Sequence, residues 1–147
     1  ANYYKPLPWL TLDADLAFTR SRFKDAREAG GSRIPNSIGT VVTAGVTAEA
    51  PCGLYGTLRL RYFGPQPLVE DNSVRAPSST LLNARIGYKT ERYEIYLDCL
   101  NLLDRRANDI TYYYASRLRG EGPEGREDLH FHPAEPRTFR LTACIRF

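Results

Sequence analysis

From Phe139 to Phe147 the chain alternates without interruption: Phe139, Leu141, Ala143, Ile145 and Phe147 take one phase, and Arg140, Thr142, Cys144 and Arg146 take the other. A repeat of two is the mark of a β-strand, whose successive side chains point to opposite faces. A strand crossing a bilayer at a tilt needs about 9 to 11 residues, with apolar and polar side chains alternating and aromatics at the interfaces. The same pattern suits a half-buried strand of a soluble sandwich, so the remaining sequence has to distinguish lipid from a protein core.

Five further runs carry the same period. Residues 9–23 set Leu10, Leu12, Ala14, Leu16 and Phe18 against Thr11, Asp13, Asp15 and Thr19. Residues 41–50 place Val42, Ala44, Val46, Ala48 and Ala50 opposite Thr43, Gly45, Thr47 and Glu49. Residues 54–63 oppose Leu54, Leu58, Leu60 and Tyr62 to Thr57, Arg59 and Arg61, and residues 80–89 oppose Leu82, Ala84, Ile86 and Tyr88 to Asn83, Arg85, Gly87 and Lys89. A fifth run has Ile95, Leu97 and Cys99 against Glu94, Tyr96 and Asp98, and loses its period at Leu100-Asn101-Leu102-Leu103. The fold class expected is therefore all-β: an antiparallel meander of about six transmembrane-type strands, part of or assembling into an outer-membrane β-barrel. The connections alternate in length. Gly-rich or polar loops over 24–37, 64–79 and 104–137 are long, and the turns at Pro51-Cys52-Gly53 and Thr90-Glu91-Arg92 are tight. Sorting by length is what membrane barrels show, with short turns at one end and long loops at the other.

Charge recurs in the polar phase of nearly every run. Asp13, Asp15, Arg59, Arg61, Arg85 and Asp98 are the expected lumen-facing residues, because a dry core would not hold them cheaply. They either guide an anion or pair with one another across the sheet. Apolar runs are too short for a membrane helix of ~20 residues. With 20 basic and 17 acidic residues, scattered and netting +3, the chain carries no footprint for nucleic acid. Ten tyrosines against one tryptophan and no methionine suit strands and lipid–water interfaces.

Chemistry-bearing motifs are sparse. Cys52, Cys99 and Cys144 form no C-x-x-C, and Cys99 and Cys144 fall on opposite faces of their strands, which argues against a bridge. There is no nucleophile elbow or phosphate loop, so no catalytic residue, cofactor or metal is assigned and the chain is read as a non-enzyme. The one candidate ligand surface lies in the last long connection. Tyr112, Tyr113 and Tyr114 with Arg117 are suited to stacking and cation–π contact with an aromatic or anionic ligand, the alternative being an aromatic girdle or loop packing. His130 and His132, two apart beside Glu127 and Asp128, face the same way in an extended segment, yet a metal site needs three or four ligands.

Taken in order, several segments resemble the C-terminal end of the barrel of TonB-dependent outer-membrane receptors. They are Leu58-Arg59-Leu60-Arg61-Tyr62-Phe63-Gly64-Pro65, Glu70-Asp71-Asn72-Ser73, Leu82-Asn83-Ala84-Arg85-Ile86-Gly87-Tyr88, Asn101-Leu102-Leu103-Asp104 and the Phe-terminated strand. The likeness runs from about Tyr4 to Phe147. It implies that residues 1–147 are the C-terminal portion of a plugged 22-stranded barrel, supplying the last six strands and carrying no plug domain. It further implies energised uptake of a scarce nutrient such as an iron chelate, at the outer membrane of a Gram-negative bacterium. The implied partners are outer-membrane lipid, the barrel-assembly machinery, the rest of the barrel and its plug, and TonB only through an N-terminal part absent from this sequence. Phe139, Leu141, Ile145 and Phe147 become the implied assembly signal, although Leu141 and Ala143 stand where such tails often carry glycine. The sequence begins without an initiator Met or a signal segment and so reads as a mature or excised piece. The alternatives are a soluble small ligand-binding β protein with its apolar face turned inward, or a non-transporting barrel fragment.

Overall fold

The computed structural model describes residues 2–24 and 31–146. Eleven strands occur among them: β1 Asn2–Leu7, β2 Leu10–Phe18, β3 Thr40–Glu49, β4 Leu54–Phe63, β5 Gln66–Pro67, β6 Arg75–Ala76, β7 Ser79–Lys89, β8 Tyr93–Leu100, β9 Asn108–Ser116, β10 Arg126–Pro133 and β11 Thr138–Ile145. Seven of these form one antiparallel sheet in the order β1-β2-β3-β4-β7-β8-β11, while β9 and β10 form a separate hairpin and β5 and β6 a small ribbon. All six expected spanning strands are present, and β1 adds a seventh ahead of them. The first run is shorter than its sequence pattern, ending at Phe18 instead of residue 23.

Register converts the alternation of each strand into two continuous faces. Asp13, Gly45, Arg59 and Asn83 lie directly opposite one another across β2, β3, β4 and β7. So do Thr47, Thr57, Arg85, Asp98 and Arg140 across β3, β4, β7, β8 and β11. One residue along each strand, Leu12, Val46, Leu58, Ala84, Cys99 and Phe139 line up on the reverse face. Because the period is two, no one-residue slip could occur without inverting both faces.

The apolar face is bare. Leu141, Leu16 and Phe139 are 70%, 65% and 63% exposed, and among the described residues few apolar side chains are buried, Leu68, Ala76 and Cys99 among them. The accessible surface is 11070 Å² for 16.7 kDa, against roughly 7,600 Å² for a compact monomer of that mass. A soluble protein whose apolar face turned inward would hide that area. This sheet presents it outward, and the aromatic side chains Trp9, Tyr88 and Tyr93 toward the turn end and Phe18, Tyr62 and Phe139 toward the loop end bracket the aliphatic band.

What packing exists lies in the loops. The connections over 19–39 and 64–78 are zipped by the backbone hydrogen bonds Arg33 N–H to Glu70 O (3.0 Å) and Asn36 N–H to Pro67 O (2.8 Å). Leu68 and Ala76 are buried there. Thr111 of β9 is buried at the same end, and with Ile38, Gln66 and Ala76 it lines a small cavity of about 30 Å³. The Asp109 carboxylate pairs with Arg61 of the sheet at 3.5 Å, fixing the base of the hairpin.

The connection expected as a loop over 104–137 instead contains the β9–β10 hairpin. Its register runs from Arg126↔Ser116 to His132↔Ile110, shifting before Pro133↔Asn108. The turn closes at Gly125, whose φ of +70° favours glycine and where a β-carbon would press on the Ser116 carbonyl oxygen at 2.6 Å.

Candidate functional site

The polar face is an array of paired charges and stacked rings. Arg85 Nε and Nη2 donate to the two oxygens of Asp98 at 2.6 and 3.0 Å, a bidentate pair. The same guanidinium lies 3.9 Å above the Tyr96 ring. Arg59 approaches Asp13 at 3.6 Å. The Tyr55 hydroxyl donates to Glu94 at 2.9 Å, and Arg146 donates to the other oxygen of that carboxylate at 3.2 Å. Glycine makes room for two of these contacts. The Tyr55 ring lies over Gly87, where a β-carbon would stand 2.5 Å from it, and the Asp13 carboxylate lies over Gly45.

All six residues expected in the lumen phase share this one face by register. Their pairing differs from the cross-sheet scheme at one point. Arg61 engages Asp109 of β9 instead of Asp15, and Asp15 accepts from the Thr43 hydroxyl at 3.5 Å. Between the strands a trough of about 550 Å³ is lined by Thr57, Arg59, Asn83, Arg85, Asp98 and Arg140 among others. Sequence reasoning passed over Tyr55 and the aromatic role of Tyr96. The available signal was Gly87, in the polar phase, directly opposite both tyrosines.

The ligand candidates of the last connection separate by strand geometry. Tyr112 and Tyr114 share a face of the hairpin with His130 and His132, whereas Tyr113 points to the other face beside Leu129. The tyrosine run is thus two rings on one side and one on the other. Tyr114 and His130 stack with centroids 3.9 Å apart and planes 17° from parallel. Tyr112 and Tyr114 remain about half exposed. Tyr113 donates to Glu127 at 3.3 Å, and its hydroxyl is held above the ordinary tyrosine pKa by desolvation first and by the Glu127 charge second. Arg117 does not join the rings: its Nε donates to the Glu121 carbonyl at 3.3 Å, bracing the hairpin turn. Among the described residues no group of three or more His, Cys, Asp or Glu side chains is placed to hold a metal ion.

The base of that connection is tied by Asn101, which is only 3% exposed. Its side-chain amide donates to the carbonyls of Arg105 and Glu135, both at 3.0 Å, and its Oδ1 accepts the Arg105 N–H at 3.0 Å. Asp104 accepts the Arg137 N–H at 3.1 Å and pairs with its guanidinium at 3.4 Å. The Asn-Leu-Leu-Asp segment therefore joins the entry of the long connection to its exit.

Of the four residues read as an assembly signal, Phe139, Leu141 and Ile145 lie exposed on the apolar face, in register with Cys99, Leu97 and Tyr93. Phe147 lies outside the described residues. All three cysteines are free, with Cys99 on the apolar face opposite Phe139 and Cys144 on the polar face opposite Glu94.

Parts of known receptors are similar to this chain in sequence and in fold. The catecholate siderophore receptor Fiu of Escherichia coli K12 is 29% identical over 129 residues, which cover 84% of this chain and 15% of that protein. The chain is thus similar in sequence to a segment of that receptor. Its fold is similar to that of part of the ferric yersiniabactin uptake receptor FyuA of Yersinia pestis, with a TM-score of 0.75 and 23% identity over 99% of this chain and 22% of that one. The closed form of Fiu from E. coli K12 superposes with a TM-score of 0.73 at 20% identity, over 97% of this chain and 19% of that one. No family model matches the chain. The chain spans about 15% of the length of the curated relatives it matches. No helix among the described residues is long and apolar enough to cross a membrane.

Proposed function

We propose that residues 1–147 form the C-terminal portion of a plugged barrel that takes up an iron chelate across the outer membrane of a Gram-negative bacterium, without covalent chemistry. The observation that carries this reading is the pairing of a bare apolar face with an ion-paired polar face on one sheet. Lipid satisfies the first and a wet, plug-facing lumen the second. The two open edges, β1 and β11, are completed by the remaining strands of the barrel, since an unpaired edge is a template for association. TonB acts only through an N-terminal part outside this sequence, and the apolar side chains of β11 are read by the barrel-assembly machinery.

In this orientation the tight turns lie on the periplasmic side and the long connections outside. The β9–β10 hairpin then projects Tyr112, Tyr114, His130 and His132 toward arriving ligand. A ferric catecholate, the ligand class in the relative's name, is aromatic and anionic and suits stacking on such rings. The test is uptake of radioactive iron supplied as a catecholate chelate by iron-starved cells whose own receptors are deleted. The triple variant Tyr112→Ala, Tyr114→Ala and His130→Ala is expected to lower uptake about tenfold, from stacking terms of ~0.5–1.5 kcal/mol per ring pair, at unchanged surface abundance. Unchanged uptake would remove the hairpin from the site. Insertion with no uptake by the unmodified protein would favour a non-transporting fragment.

A further inference from the structure

The β9–β10 hairpin is a sheet of its own, separate from the large one. Asn101 gathers the two ends of its connection, yet a hairpin held at one point is still free to rock. What sets its attitude is a bulge. Pro133 stands opposite Asn108 and His132 opposite Ile110, so Asp109 between them has no register partner on β10. A bulged residue leaves the ladder and its side chain is re-aimed. Here the carboxylate turns to the large sheet, where it meets Arg61 of β4 at 3.5 Å. The Arg61 guanidinium is itself set over the Phe63 ring, 5.0 Å from the centroid. Phe63, Asp109 and the buried Thr111 line the same small cavity. Residues directly opposite one another share a face, so Thr111 and Phe131 lie on one side of the hairpin and Tyr112, Tyr114, His130 and His132 on the other. Docking the Thr111 side therefore turns the second side outward, with Tyr112 and Tyr114 half exposed.

We propose that Arg61 is a positioning residue for ligand capture: through the bulged Asp109 it holds the hairpin so that the Tyr112, Tyr114 and His130 rings meet an aromatic, anionic chelate. It acts through Asp109 and not by touching the chelate. Both partners of the ion pair are nearly half exposed, so the pair biases the attitude of the hairpin a few-fold and does not decide whether the hairpin forms. This role rests on the reading of the hairpin as the ligand surface.

The test reads hairpin and ligand separately, in the protein expressed in the outer membrane of iron-starved cells whose own receptors are deleted. Hydrogen exchange over residues 108–113 of the membrane-embedded protein, without ligand, reports local opening. It is expected to accelerate about threefold in Arg61→Ala, in Asp109→Ala and in the double variant alike, the size an exposed ion pair allows. Arg61→Lys, which keeps the charge, is expected to stay close to the unmodified rate. The half-saturating concentration of a ferric catecholate for uptake is expected to rise about threefold in the same three variants, with the maximal rate per receptor unchanged. An effect of about ninefold in the double variant, the product of two independent losses, overturns the coupling of Arg61 to Asp109. A raised half-saturating concentration in Arg61→Ala with none in Asp109→Ala means that Arg61 meets the ligand itself, and overturns the positioning role. Unchanged exchange in every variant overturns the latch while leaving the hairpin as the ligand surface. Accelerated exchange with unchanged uptake overturns that ligand surface, and the role of Arg61 with it.

Discussion

Asn101 offers the sharpest prediction, because its magnitude can be worked from the geometry. Replacing it with alanine removes three side-chain hydrogen bonds, each 3.0 Å long, from a residue that is 3% exposed. At a net ~1 kcal/mol apiece these contribute ~3 kcal/mol. The backbone adds a further cost, since Asn101 sits at φ +49° and alanine there is less favourable by ~1 kcal/mol. The total of ~4 kcal/mol falls on the junction of Arg105 and Glu135, which is a local opening and not global unfolding. Hydrogen exchange of the Arg105 amide in the membrane-embedded protein reads it directly. Exchange should accelerate by about a thousandfold, at tenfold per ~1.4 kcal/mol. Asn101→Gly should recover about fivefold of that by relieving the backbone alone. Asn101→Asp should do no better than alanine, because it sets an anionic oxygen against two carbonyls. An Arg105 amide that exchanges within threefold of the unmodified protein in Asn101→Ala would refute the argument that this side chain holds the junction.

Leu58→Arg, in the middle of β4 on the apolar face, should destabilise the inserted protein by ~2–4 kcal/mol, whereas Thr142→Arg on the polar face of β11 should stay within about ±0.5 kcal/mol; urea midpoints in liposomes separate the two, and equal costs would refute the assignment of faces. Gly87→Ala should push the Tyr55 ring away, break its hydrogen bond to Glu94 and cost ~1–3 kcal/mol, with loss of Tyr55 near-ultraviolet dichroism as the signature. The Asp104 carboxyl is held below its ordinary 3.8, chiefly by the Arg137 N–H and then by the Arg137 guanidinium. A depressed carboxylate contributes order that is complete above 3.8 and is lost as pH falls through the lower folded value. The Arg137 amide should therefore stay protected down to about pH 4 and lose protection only below it, and Asp104→Asn should abolish that dependence; loss of protection already at pH 6 would assign the titration to another group.

Six of the seven strands of the large sheet were legible because each keeps one phase almost wholly apolar while charged and polar residues fall in the other, the alternation that a strand between lipid and water has to carry. The seventh was hidden by Pro6, which argues against a strand wherever a ladder hydrogen bond is needed. In β1 the proline falls in the register break between Tyr4 and Leu7, on the outermost strand described. The β9–β10 hairpin was hidden for a different reason. Tyr112, Tyr113 and Tyr114 put aromatic side chains on both faces in succession, and His130 and Phe131 do so on the partner strand. A ribbon wet on both sides has no face to encode, so its period vanishes while its pairing persists. What escaped the sequence in this connection is thus the pairing of the two strands and not the residues themselves, since Tyr112, Tyr114 and His130 stand out by type alone while only the register shows that they share one face.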